Sequence, residues 1–436
     1  MTERDTERSG ESPAARGASA GVTGQSTGIT SDNFVWVLAV GLFALGALSL
    51  FLSFDGEPVL PLDTTASANG EAVPTIDSDG DGVPDTPVAD DEATSDGLGT
   101  AAANRFTISA SGDILIHERV AEAATTAEGA FDFAPLFNPV RDLIATRDFA
   151  ICHLEVPLSS TNDDLAFTDG TFRVPMELAD AIQGVGFDSC SVASNHAWDS
   201  GETSVTSTIA QLERVGLPHV GIANSPEDAA KSWQFNVLGN TIGHLSYTFA
   251  LNGREPGEVP QDRVAQIDEA AILADAARQR ELGSEFTIVS MHWGSEFQNE
   301  PDALQADLGP RLLASPDIDL IIGHHAHVPQ QVVEINGEYI AYGLGNLLSN
   351  QAQGIPECPT ACPVDSQDGV LIDFVVERTA EGALAVTDVV ANPTWVDNRN
   401  TWAIIPTDSP PAVGFALDAQ VLSASGERTR ASLGIE

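Results

Sequence analysis

The chain has 436 residues, with 19 basic against 64 acidic side chains and a formal charge of -45. Hydrophobic residues make up 42% of it, enough for a full core and too many for wholesale disorder. The charge argues against nucleic-acid binding, which needs Lys and Arg to neutralise phosphates, and four cysteines cannot staple a chain of this size.

In chain order, residues 1–33 are polar and Gly/Ser/Thr-rich and read as a disordered tail. Residues 34–54 follow without a charge, and 21 residues suffice to cross a bilayer core of roughly 30 Å as a helix. This predicts a single membrane span. Arg4, Arg8 and Arg16 precede it, and no basic residue follows until Arg105, so the C-terminal bulk is expected outside the cell membrane.

Residues 55–104 hold twelve acidic residues and no basic one, the composition of an extended stalk. Within it Asp77, Asp79, Asp81 and Asp85 alternate around Gly82. That spacing suits Ca²⁺, although the glutamate closing a calcium-binding loop is missing at Val88. A calcium clip and a plain solvated linker both fit.

From residue 105 to 398 short apolar runs alternate with helical segments, which predicts an α/β domain with mixed sheets; 399–436 reads as a C-terminal extension. Strands are expected at 106–115, 149–156, 187–194, 233–238, 242–250, 286–293, 318–325, 330–335, 339–345 and 370–377. Helices are expected at 135–146, 176–183, 203–214 and 265–282. Cys358 and Cys362 could close a short-loop disulfide, whereas Cys152 and Cys190 fall in core strands and read as inert thiols.

Polar residues collect where the apolar runs end. Asp113 ends the first, Glu155 the second, Asn195 and His196 the third, His292 a later one, and His324, His325 and His327 another. In open α/β folds ligands bind at that carboxyl edge. Each residue alone has a structural reading: Asp113 as a helix cap, Asn195 and His196 as turn residues, His292 as a satisfied core histidine. Together they would bury many ionisable groups, a cost that a shared cation removes. The mixed O/N donor set suits Mn²⁺, Fe or Zn²⁺.

These motifs resemble the CapA family, the poly-γ-glutamate capsule biosynthesis proteins of the calcineurin-like metallophosphoesterase superfamily. The resemblance spans about 106–398. It rests on Ser111-Gly112-Asp113, His153-Leu154-Glu155, Asn195-His196 with Asp199 and Gly201, Met291-His292-Trp293-Gly294 with Glu296, Gly323-His324-His325-Ala326-His327, and Gly345-Asn346. It implies a metallophosphoesterase-like α/β/β/α sandwich holding one or two divalent ions. Asp113 and His327 would bind one metal, Asn195, His292 and His325 the other, with Glu155 bridging and His324 an alternative to His325. His196 would act as general acid, oriented by Asp199, and Trp293, Glu296 and Asn346 would contact substrate. Two departures stand out: Leu115 occupies a position where the superfamily has a histidine, with His117 two residues further, and Glu155 replaces its usual Gly-Asp.

The resemblance further implies a membrane-anchored protein in the synthesis or export of an anionic surface polymer, hydrolysing a phosphoester. The alternative is a non-catalytic metal-binding subunit of a polymer synthase or exporter complex.

Overall fold

The computed structural model describes residues 102–168, 171–355, 362–411, 415 and 417–435. The tail, the expected span at 34–54, the acidic linker with its aspartate motif, and Cys358 lie outside these. Among the described residues no helix is long and apolar enough to cross a membrane.

The first part of the domain runs β1 (Arg105–Leu115), α1 (Glu118–Ala123), α2 (Ala134–Phe137), α3 (Arg141–Ala145), β2 (Phe149–Leu154), β3 (Ala166–Thr168), β4 (Thr171–Arg173), α4 (Leu178–Val185), β5 (Ser189–Ser191), α5 (Glu202–Val215), β6 (His219–Val220) and α6 (Pro226–Ala229). The middle runs β7 (Gln234–Val237), β8 (Asn240–Thr248), α7 (Glu269–Glu281), β9 (Phe286–His292), α8 (Ala303–Leu312), β10 (Leu320–His324), β11 (Val332–Ile335) and β12 (Glu338–Ala341). The last part runs β13 (Asn346–Ser349), β14 (Asp368–Arg378), β15 (Leu384–Val396), β16 (Ile404–Pro406) and α9 (Ala419–Leu433).

Two mixed sheets result. One has the order β16-β15-β14-β1-β2-β5-β6, with β13 paired to β1; the other has the order β11-β12-β10-β9-β8-β7. Inward side chains of both, including Ile108, Ile151, Phe286, Ile322 and Phe374, form one core between the sheets. The outer face of the first sheet packs on the helices through Ile144, Ile182, Val205 and Ile209, and that of the second packs on α7 and α8 through Ile272, Leu308 and Leu312. The layers are therefore α/β/β/α. Strands buried on both faces read as continuous apolar runs, which is why they were visible in the sequence.

The segment after Asn398 adds β16 to the first sheet and packs α9 against β14 and β15. The Arg428 guanidinium and the Ser425 hydroxyl both bond the buried Asp368 carboxylate, fixing α9 to β14.

Three local expectations need correction. The helix expected at 135–146 breaks into α2, a 3-10 turn at Asn138–Val140, and α3. Pro139 explains it, since proline has no N–H to donate and its ring crowds the preceding turn. The helix expected from Ala265 starts at Glu269, capped by the Asp268 side chain accepting from Ala271 N. Residues 265–267 are drawn to β8 instead, through Thr248 N to Ala265 O and Ile267 N to Thr248 O. Cys152 and Cys190 are not free thiols: they lie in register on β2 and β5, 4.5 Å apart at Cα, and form a disulfide.

Two glycines let chain segments meet beneath the polar edge. Gly112 marks the point where β1 exchanges β14 for β13, and a methyl there would fall 2.2 Å from Gly345 O. A methyl at Gly323, on β10 just before the histidines, would fall 1.8 Å from Tyr342 O. Backbone cannot yield cheaply, so Gly323→Ala should destabilise the fold by about 2 kcal/mol or more. Urea unfolding measures this, and an unchanged midpoint would show that the contact is not tight.

Candidate metal centre

The parallel strands β1, β2 and β5 of one sheet and β8, β9 and β10 of the other carry polar residues at or beside their carboxyl ends. Asp113 is in register with His153, and His292 with His324. The two edges meet directly. His324 Nδ1 lies 3.1 Å from Asp113 Oδ1, and His153 Nε2 lies 2.9 Å from His292 Nδ1.

A chain of short contacts runs through the centre. Asn195 Oδ1 is 2.9 Å from His292 Nε2, which is 3.9 Å from Glu155 Oε1. Glu155 Oε1 is 3.6 Å from His327 Nε2, and His327 Nδ1 is 3.1 Å from Asp113 Oδ2. Two clusters bring ligand atoms within 4.8 Å of one another: Asp113, His153 and His324, and Glu155, His325 and His327. The grouping differs from the one the resemblance implied. His327 stands between the two carboxylates, and His153, which sequence reasoning gave no role, joins the first cluster with its Nδ1 held 2.8 Å from Ser191 Oγ.

The backbone after β10 is unusual. His325 and His327 have φ of 85° and 56°, a left-handed conformation that non-glycine residues adopt at a cost of roughly 1–3 kcal/mol each. It is held by His325 N donating to Asp113 Oδ2 at 3.1 Å and Phe297 N donating to Ala326 O at 2.8 Å. Phe249 lies against His325, with ring centres 4.7 Å apart.

Burial sets the charge states. It pushes the Glu155 carboxyl up to about 7, against the pull of His327. Burial also acts to raise Asp113, but bonds from His324 and His327 override it and hold this carboxyl well below its usual range. Burial drives His153 and His292 well below the imidazole range, and His325 to about 3, so these rings are neutral. His327 is the exception: burial disfavours its cation, yet Glu155 and Asp113 raise it to about 10.

The donor set fits divalent cations. Both Glu155 oxygens, His324 Nε2 and His325 Nδ1 are buried without a hydrogen-bond partner. Native interiors rarely leave such groups unsatisfied. Neutral imidazoles beside carboxylates are what Mn²⁺, Fe or Zn²⁺ accept.

Beside the centre a cleft of about 1220 Å³ opens, lined in part by Asn195, His196, Glu296 and His327. His196 Nδ1 lies 2.8 Å from Asp199 Oδ2, which also accepts from Phe172 N at 2.6 Å. Asn252 joins them unannounced by any motif, its amide 3.4 Å from both Asn195 and His196. His117 also lines the cleft, and burial lowers it to about 4.

Two expected substrate contacts need correction. Trp293 is fully buried, donates to Tyr342 O at 3.2 Å and packs with Leu308 and Leu312 in the outer layer. Neighbouring side chains along a strand point to opposite faces, so a His292 that faces the site turns Trp293 away from it. Asn346 is also fully buried. Its Oδ1 lies 3.1 Å from His327 Nδ1 and its amide donates to Ser366 O, so it fixes a histidine and touches no cleft.

Known proteins resemble this chain at both levels. It is 28% identical over 289 residues to a Bacillus subtilis protein described as PGA biosynthesis protein CapA, covering 64% of this chain and 70% of the relative. It is 23% identical over 256 residues to a Bacillus anthracis protein described as capsule biosynthesis protein CapA, covering 57% and 60%. Among solved structures, the calcineurin-like phosphoesterase YfkN of Bacillus subtilis matches with a TM-score of 0.40 at 14% identity, over 75% of this chain and 97% of that one. A 5'-nucleotidase precursor of Thermus thermophilus matches with a TM-score of 0.40 at 12% identity, over 75% of this chain and 58% of the nucleotidase. Residues 107–351, more than half of the sequence, match the family described as bacterial capsule synthesis protein PGA_cap, and the chain belongs to that family.

Proposed function

We propose that this chain is a metal-dependent hydrolase of phosphoester type, acting in the synthesis or export of an anionic surface polymer such as poly-γ-glutamate. The carrying observation is the pair of buried carboxylates, Asp113 and Glu155, set among five histidines beside a cleft that holds the His196–Asp199 pair. The descriptions of the Bacillus relatives support the polymer class, and the donor set supports metal-dependent hydrolysis.

Asp113, His153 and His324 would hold one cation, and Glu155, His325 and His327 a second, with Asn195 and His292 alongside. Divalent ions there would polarise a phosphoryl or carbonyl oxygen and acidify a water. Asp199 orients His196 by its Nδ1, leaving Nε2 to hand a proton to a departing oxygen. Asn252 limits rotation of that ring. Asn346 holds the His327 ring from its other side.

The uncharged run at 34–54 supports a single-pass anchor with the catalytic domain outside the cell membrane. Synthase or export subunits of the polymer machinery would then be its partners, and Asp77, Asp79, Asp81 and Asp85 offer a calcium clip in the stalk. A second reading, a non-catalytic metal-binding subunit, is favoured by Leu115: it is buried and apolar where the superfamily has a ligand.

Alanine at Asn195 or His196 separates the two readings. For the hydrolase, turnover of a phosphoester falls about 100-fold or more in His196→Ala while fold and bound metal persist. Polymer production that survives both changes would leave the non-catalytic reading.

Metal loading should displace protons. Below about pH 10 His327 is charged in the metal-free protein and must lose its proton to ligate; below about pH 7 Glu155 must do so too. Calorimetry in buffers of different ionisation enthalpy should find about one proton released at pH 8, rising towards about two by pH 6. A release that is zero or independent of pH would contradict these ligand assignments.

A further inference from the structure

The Cys152–Cys190 disulfide lies one residue away from the cluster of Asp113, His153 and His324. It joins β2 to β5, which pair over three positions: Ile151 with Ser189, Cys152 with Cys190, and His153 with Ser191. Beyond β5 the ladder thins further, since β6 adds two pairs. So short an edge has few backbone bonds to fix it, and the disulfide adds a covalent tie across a separation of 38 residues. Successive side chains along a strand point to opposite faces. Both cysteines are fully buried in the helix-side core with Ile182 and Val205, so the next residue of each strand faces the metal centre.

Those next residues are bonded to each other. The Ser191 hydroxyl donates to Cys152 O at 3.3 Å, and its oxygen lies 2.8 Å from His153 Nδ1. A hydroxyl has one hydrogen, so towards the ring it accepts. Nδ1 of the neutral ring therefore carries the hydrogen. Nε2, 2.9 Å from His292 Nδ1, keeps the bare lone pair that a cation needs. The segment after β5 is tied to the same strand: Ser194 donates to Glu155 O at 2.5 Å, directly before Asn195 and His196.

We propose that the Cys152–Cys190 disulfide and Ser191 position His153 as a cation ligand, so that its cluster binds an ion tightly only while the disulfide is closed. The proposal rests on the metal-binding reading above and adds a dependence on redox state. The centre is then completed in an oxidising compartment, where disulfides persist. Opening transfers two electrons and two protons from a dithiol, which closes to its own cyclic disulfide. Two thiols remain, and β5 loses its covalent tie to β2.

Such coupling is reciprocal, so it can be read from either side. The probe is Mn²⁺, which thiols bind poorly, on the full chain. Calorimetry gives Mn²⁺ affinity for the oxidised and the reduced chain. Dithiol redox buffers with and without Mn²⁺ give the reduction potential, followed by alkylation of Cys152 and Cys190 in mass spectrometry. Reduction should weaken Mn²⁺ binding about tenfold or more. Saturating Mn²⁺ should lower the potential by the matching amount, about 30 mV for each tenfold in this two-electron couple. Ser191→Ala leaves the disulfide in place and should weaken Mn²⁺ about tenfold with the metal-free fold retained, which keeps the proposal testable if the reduced chain unfolds. Equal Mn²⁺ affinity in the oxidised chain, the reduced chain and Ser191→Ala overturns the proposal and leaves the metal reading standing. An oxidised chain that takes up no Mn²⁺ also overturns it, and elemental analysis for Fe and Zn then decides whether the metal reading falls with it.

Discussion

Two carboxylates buried at the ends of neighbouring strands govern the rest of this molecule. Asp113 and Glu155 are each about 1% exposed, and among the described residues their ion-pair partners are histidines. An uncompensated buried charge costs several kcal/mol, so the surroundings must supply positive charge or suppress ionisation. Both responses are visible. Glu155 is pushed towards its neutral form, and His327 is held as a cation between the two acids. A protonated histidine occupies the electrostatic role that a divalent ion would take over on binding. The same interaction explains why the loop after β10 tolerates left-handed backbone at His325 and His327, since the Asp113 carboxylate bonds the His325 amide directly.

The sandwich serves this arrangement by bringing two parallel edges together. Neither sheet alone holds a complete donor set: Asp113, His153 and Glu155 come from the first, and His292, His324, His325 and His327 from the second. Side chains from both sheets fill the core below the edge, and the glycines at 112 and 323 remove the Cβ atoms that would keep neighbouring chain apart above it. Function and packing are therefore coupled along β1 and β10, where a methyl group would disturb both.

Much of this was legible in the sequence because buried strands are apolar until they reach the site. Asp113, Glu155, Asn195, His292, His325 and His327 each interrupt or follow such a run, and the structure brings all six together. What escaped notice depends on geometry that a run does not carry. His153 sits inside its strand and acquires a place only once β9 lies against it. Asn252 comes from a loop with no motif. The Cys152–Cys190 disulfide needs the pairing of β2 with β5, which composition does not reveal. Trp293 could have been placed correctly, because alternation along β9 already sends it away from His292. Its motif neighbours suggested a site residue, and the period of the strand decided otherwise.

Elemental analysis of the purified full chain, beside Asp113→Asn and Glu155→Gln, tests the central claim most directly. One or two equivalents of Mn, Fe or Zn in the parent chain, reduced or lost in both variants while the fold is retained, is the outcome predicted by two acids that share cations with histidines. A parent chain that binds none of these ions, even after reconstitution with each, would contradict it and leave His327 as the permanent counter-charge of the site.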